Sequence, residues 1–168
     1  MRGMTKCILL LPILGLCSTA LPQASRQPSI SIEAEKPTFE LGQPMQIHIV
    51  LKNTTERQFT VFRSTGGGSG ELYYSVSVIG PDGKPAAFTE YGAAMEKNRG
   101  QLPILSRKMV TVAPDASVDD NVTVSKMFNM TAAGTYVVQV SRRSPLNPTA
   151  TLKSNKLTIS VIKAVAPS

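Results

Sequence analysis

An all-β fold is what this 168-residue chain predicts: an antiparallel β-sandwich of about seven to eight strands behind a short N-terminal leader. Three observations carry that expectation. Apolar residues recur at every second position in one segment after another, the period of a strand with one buried face. The segments are short and are divided by turn chemistry such as Gly42-Gln43-Pro44, Pro81-Asp82-Gly83 and Pro114-Asp115. Finally, Tyr136 stands two residues after Gly134 at the mouth of the second-last segment, where a sandwich of the immunoglobulin kind turns a corner.

Residues 1–24 read as a signal peptide, with Arg2 and Lys6 ahead of an apolar run and small residues behind it. The run from Cys7 to Leu16 contains Pro12 and is about half the roughly twenty apolar residues a spanning helix needs, so no membrane span is expected after cleavage. Cleavage is expected after Ala20 or Ala24. Lipidation of Cys17 is the alternative, against which Leu16 stands where a small residue is wanted. Both cysteines fall in this segment, so the exported chain is expected to be disulfide-free in an oxidising destination, secreted or periplasmic. Without Arg2 and Lys6 the basic residues fall from 18 to 16 against 11 acids, leaving a charge of +5. About 144 to 148 residues remain, enough for one sandwich domain over 25–163 with a flexible tail at 164–168. Bases and acids alternate, and no basic run is interleaved with aromatics, which argues against nucleic-acid binding.

The strands follow in order. SISIEAE puts Ile30 and Ile32 on one face. In PMQIHIVLKN, Met45, Ile47, Ile49 and Leu51 share a face, Gln46, His48 and Lys52 take the other, and Val50 is the exception. RQFTVF is less regular. LYYSVSVI aligns Leu72, Tyr74, Val76 and Val78; KMVTV aligns Val110 and Val112; NVTVSK aligns Val122 and Val124. TYVVQVS aligns Tyr136, Val138 and Val140, and KLTISVI closes the series with Leu157, Ile159 and Val161. Antiparallel pairing with one wet face suits such alternation.

Near the end, Val122 to Lys126 reads as one strand, 128–133 as a corner and Gly134 as relief for the turn. A buried phenol without a partner is costly, so Gly134 and Tyr136 read as a structural corner and not as ligand contacts. VSKMFNMTAAGTYVVQVSRR, followed by SNKLTISV, resembles the closing strands of bacterial secreted immunoglobulin-like domains. It is similar there to the intracellular proteinase inhibitor family of bacilli and to the pro-domains of some secreted metalloproteases. In those an aromatic-Asp-Leu-Ser corner precedes Gly-Thr-Tyr; here Phe128-Asn129-Met130-Thr131 takes its place. FELGQPMQIHIVLKNTT resembles the second strand of the same domains. The resemblance implies an immunoglobulin-like β-sandwich over most of the mature chain. Its motifs are structural, and function does not travel with them.

Catalytic chemistry finds little to stand on. A metal site recruits histidine, cysteine or clustered carboxylates. The one histidine, His48, shares its face with Gln46 and Lys52. Asp119 and Asp120 are adjacent on a strand and so point to opposite faces. Ser160 and Lys163 have Ser-x-x-Lys spacing on β-branched sequence, where that motif requires a helix. The glycine run at 66–70 lacks the Gly-Lys-Ser/Thr of a phosphate loop. Sequons stand at Asn53, Asn121 and Asn129. No catalytic residue, cofactor or metal ligand is assigned, and the chain is not expected to be an enzyme.

Function is then expected in the loops. Three connections exceed a hairpin's needs: 64–71, which is glycine-rich; 85–103, where 93–97 suits one helical turn; and 144–153, flanked by Arg142, Arg143, Lys153 and Lys156. Phe88 and Tyr91 are aromatic anchors of the kind that dominate interfaces. The candidate partner contacts are therefore Phe88, Tyr91, Arg142 and Arg143. The expectation is a secreted or periplasmic, non-catalytic binding module acting on a protein or an envelope polymer. A proteinase inhibitor or protease-associated domain is the alternative.

Overall fold

A computed structural model describes residues 26–64, 70–101 and 107–164. The leader with Cys7 and Cys17, most of the glycine run and most of the C-terminal tail lie outside the described residues. Among the described residues ten strands and two helices succeed one another: β1 (Ser29–Ala34), β2 (Thr38–Glu40), β3 (Gln46–Lys52), β4 (Phe59–Ser64), β5 (Ser75–Ile79), α1 (Glu90–Lys97), β6 (Arg107–Val112), β7 (Ser117–Thr123), α2 (Val124–Met127), β8 (Gly134–Arg143), β9 (Thr151–Lys153) and β10 (Leu157–Ile162).

One sheet has the order β1-β3-β7 and the other β2-β10-β8-β5, with β9 also paired to β8; β4 and β6 form a separate ribbon. Pairing is antiparallel except between β2 and β10. The opening strand is thus divided between the sheets, β1 on β3 and β2 on β10, while the last two long strands, β8 and β10, are neighbours beside β5. That is the immunoglobulin-like arrangement of two facing antiparallel sheets. It departs from the usual order in one place, since β6 pairs with β4 and not with β7.

Alternation explains the core. Ile30, Ile32, Ile47, Ile49, Leu51, Val118 and Val122 from one sheet face Phe39, Val76, Val78, Tyr136, Val138, Val140, Ile159 and Val161 from the other, all buried. The outer edge of β1 is finished by a side chain: Asn155 Oδ1 accepts from Ile32 N at 2.8 Å and its Nδ2 donates to Ile32 O at 3.0 Å, imitating a strand. An exposed edge is a template for unwanted pairing, and this amide occupies it.

Four sequence expectations are corrected. β2 and β9 were not anticipated, because three residues are too few to show a period. Gly70–Leu72 is a 3-10 turn, so Leu72 and Tyr74 precede β5 instead of belonging to it. β7 ends at Thr123, opposite Gln46, the first residue of β3. With no strand left to pair, Val124–Met127 coils into α2, tied to β3 by Val124 N to Met45 O at 2.8 Å and Met45 N to Ser125 Oγ at 2.9 Å. Lastly, α1 spans Glu90–Lys97, longer than one turn over 93–97, because Thr89 Oγ1 caps it by accepting from Gly92 N at 3.0 Å.

At the last corner the buried Tyr136 hydroxyl donates to Ala132 O at 2.9 Å and accepts from Ala132 N at 3.3 Å. Gly134 has φ +141, and a Cβ there would lie 2.6 Å from Pro81 Cβ. Both the backbone angle and the space require glycine.

Candidate functional site

Two of the long connections meet at one end of the β5–β8 pair. Pairing between those strands ends at Ser75 opposite Ser141, yet β8 runs on to Arg143 with β9 along its other edge. Arg142 and Arg143 therefore have a strand on one side only. On the other side the chain passes through the 3-10 turn, and Gly100 N donates to Leu72 O at 3.0 Å, bringing the residues after α1 up to that turn. A cleft of about 690 Å³ results. Leu72, Tyr73 and Ser75 line it from one segment, Glu96, Arg99 and Gly100 from the next, and Ser141, Arg142, Arg143 and Thr151 from the strands.

A buried polar chain stands behind the cleft. The Arg142 guanidinium lies 5.1 Å from the centre of the Tyr74 ring, and its Nη1 donates to the Tyr74 hydroxyl at 3.5 Å. That hydroxyl donates to Asp120 Oδ2 at 3.1 Å. Asp120 Oδ1 accepts from Arg63 Nη2 at 2.7 Å, and the same nitrogen donates to Asp119 O. Four residues from β8, the β5 approach, β7 and β4 are thereby joined. Burial above all, and the Asp120 carboxylate after it, push the Tyr74 phenol well above its ordinary pKa, against the opposing pull of Arg142. Tyr74 thus keeps its proton and commits it to Asp120, whose side chain is only 4% exposed.

Arg99 forms an ion pair with Glu96 on the preceding turn, and burial lowers the pKa of its guanidinium. The Nε atoms of Arg99 and Arg142 are sealed from solvent and have no hydrogen-bond partner among the described residues. The titratable groups of the cleft are three arginines, one glutamate and one tyrosine. Such a set offers strong donors to an anion and includes no histidine or cysteine.

The candidate contacts fall in different places. Arg142 and Arg143 line the cleft. Phe88 and Tyr91 do not; they fasten their connection to the α2 region. Phe88 stacks on Phe128 with ring centres 4.7 Å apart, and keeps 39% of its surface exposed. Tyr91 donates to Glu71 Oε2 at 3.3 Å beneath Lys126, whose ammonium is 3.9 Å from the ring centre. Sequence reasoning missed Arg99, although its place after a helix stop and before Gly100 marked it as the exit of α1. It also missed Ser75, assigned to a continuous strand.

His48 has neighbours the sequence did not suggest. Its Nδ1 lies 3.2 Å from Glu33 Oε1 on β1 and its Nε2 3.5 Å from Asp119 Oδ1 on β7. No group of three or more residues suited to hold a metal ion occurs among the described residues. Asn53 is fully buried, whereas Asn121 and Asn129 are exposed. No helix among the described residues is long and apolar enough to cross a membrane.

No protein-family model matches the chain, and no curated protein matches it. Among solved structures it is similar to the CARDB domain of the PF1109 protein from Pyrococcus furiosus, solved in complex with di-metal ions. The identity is 11%, the alignment covers 82% of this chain and 96% of that one, and the TM-score is 0.41. The immunoglobulin-like assignment stands on strand order and register, not on that superposition.

Proposed function

We propose that this protein is a secreted or periplasmic, non-catalytic binding module that holds its partner, an envelope polymer or a protein, in the cleft between the α1 exit and the β8–β9 end. The observation that carries this reading is the convergence of Arg99, Arg142 and Arg143 on one cleft, with a single glutamate among them. Export rests on the charged, apolar and small-residue order of 1–24. The resemblance to proteinase inhibitors rests on residues such as Tyr136, Val138 and Ile159, which are buried. Their work is architectural, so they favour the fold more than inhibition.

The test is affinity capture from envelope and culture-fluid fractions with the mature chain as bait, beside Arg99→Gln/Arg143→Gln and Phe88→Ala. Capture lost in the arginine variant and kept in Phe88→Ala is the expected result. Equal capture by all three baits refutes the site. N-terminal sequencing of the protein recovered from cells should begin after Ala20 or Ala24; an intact Met1 refutes export.

A further inference from the structure

We infer that the cleft takes one anionic oxygen group, a carboxylate, sulfate or phosphate, carried by an acidic saccharide. This inference rests on the binding-module reading and names its ligand class. The charge count comes first. Glu96 is paired with Arg99, and among the described residues Arg142 and Arg143 have no carboxylate partner of their own. An oxyanion in the cleft meets arginine side chains as charge-assisted hydrogen-bond donors, and a planar guanidinium can grip it through two parallel N–H groups.

Preorganisation is the second argument. Arg142 is already held against the Tyr74 ring and hydroxyl, so little rotamer freedom is left to lose on binding. The remaining lining decides what carries the anion. Ser75, Ser141 and Thr151 are neutral, hydroxylated residues, suited to the hydroxyls of a sugar. Among the described aromatic residues Tyr73 alone lines the cleft, and the two candidate anchors, Phe88 and Tyr91, are engaged elsewhere. The excess of 16 basic over 11 acidic residues left after removal of Arg2 and Lys6 adds long-range attraction to a polyanion.

The experiment titrates the mature chain, followed by amide NMR shifts at fixed ionic strength, with four probes: a uronic-acid oligosaccharide, its neutral counterpart, sodium sulfate and sodium phosphate. The uronic-acid oligosaccharide is expected to bind at least about ten-fold tighter than the other three, with shifts centred on Ser75, Gly100 and Arg142. Arg143→Gln and Arg142→Lys are each expected to weaken it by about ten-fold, the lysine variant because it keeps the charge and loses the fork. A thermal unfolding scan of Arg143→Gln, an exposed residue, keeps loss of binding distinct from loss of fold. Equal binding of acidic and neutral saccharides, binding of the free anions alone, or full affinity in Arg143→Gln overturns the inference. If arginine-dependent capture of a partner persists while the acidic saccharide fails to bind, the ligand class falls and the binding-module reading stands.

Discussion

Replacing Asn53 by alanine tests how the β4–β6 ribbon is held to the sandwich, because that ribbon belongs to neither sheet. The Asn53 side chain is fully buried. Its Nδ2 donates to Arg57 O at 2.9 Å and to Val112 O at 3.0 Å, and its Oδ1 accepts from Thr55 N at 3.0 Å and Thr55 Oγ1 at 2.8 Å. Its backbone receives Asp115 N at 2.9 Å and donates to Ala116 O at 2.9 Å. One residue thus ties the end of β3, the 53–57 turn, the end of β6 and the approach to β7. In Asn53→Ala, Arg57 O keeps the Thr55 hydroxyl at 3.0 Å, while Thr55 N and Val112 O lose the amide. At about 1 to 3 kcal/mol for each of these two buried groups deprived of a partner, the loss is about 2 to 6 kcal/mol. That is a large part of the roughly 5 to 15 kcal/mol that stabilises an ordinary domain.

Asn53→Asp sharpens the test. The carboxylate retains both acceptors but turns a negative oxygen towards two carbonyl oxygens, so at neutral pH it should cost more than alanine does. The assay is urea unfolding followed by far-UV circular dichroism. With an m-value of about 2 kcal/mol/M, the midpoint of Asn53→Ala should fall by about 1 to 3 M at unchanged slope. A midpoint within about 0.3 M of the parent, or Asp tolerated as well as Asn, refutes the reasoning.

Two further outcomes follow from named contacts. Because the folded-state pKa of Tyr74 is raised, the unfolded chain ionises this tyrosine first, so stability is complete below about pH 10 and falls by about 1.4 kcal/mol per pH unit above it for this one proton. Urea midpoints across that alkaline range should fall less steeply in Tyr74→Phe by that amount, and parallel limbs refute the burial of the phenol. In Gly92→Ala the new Cβ would lie 2.0 Å from Met127 O and 2.7 Å from Met127 C, both backbone. The gain in helix propensity of about 1 kcal/mol is then outweighed by displacement of α1 from α2, a net loss of about 1 to 3 kcal/mol with weakened binding at Arg99; a higher melting temperature refutes that packing.

The fold was legible wherever one side of a strand was committed to the core. Ile47, Ile49 and Leu51, or Tyr136, Val138 and Val140, declare their face because alternation is imposed by the pleat itself. It was illegible where tertiary context decided the outcome. Val124 continues the alternation of Val122, yet the chain coils there because β3 has run out, which no local pattern records. Tyr74 continues the alternation of Val76, yet it is buried as part of a polar chain to Asp120 and Arg63, residues far away in sequence. For the same reason Arg142 and Arg143 could be singled out as the end of a strand, whereas Arg99 could not. Its membership depends on the bond between Gly100 and Leu72.

The features that make the cleft are those that make the corner of the sandwich. A strand that outruns its neighbour leaves side chains with one free flank, and an arginine in that position has to be either solvated or held. Arg142 is held: Tyr74 supports its face, Asp120 fixes Tyr74, and Arg63 neutralises Asp120. The Asp120 charge is balanced within the core by Arg63, so the charge of Arg142 is not consumed there and remains directed at the cleft. Stability and binding are therefore separable at this end: Asp120→Asn should act on the fold through Arg63 and Tyr74, whereas Arg143→Gln should act on the ligand alone. If the two substitutions prove equivalent in both unfolding and binding assays, the buried chain and the cleft are one structural network with no binding role.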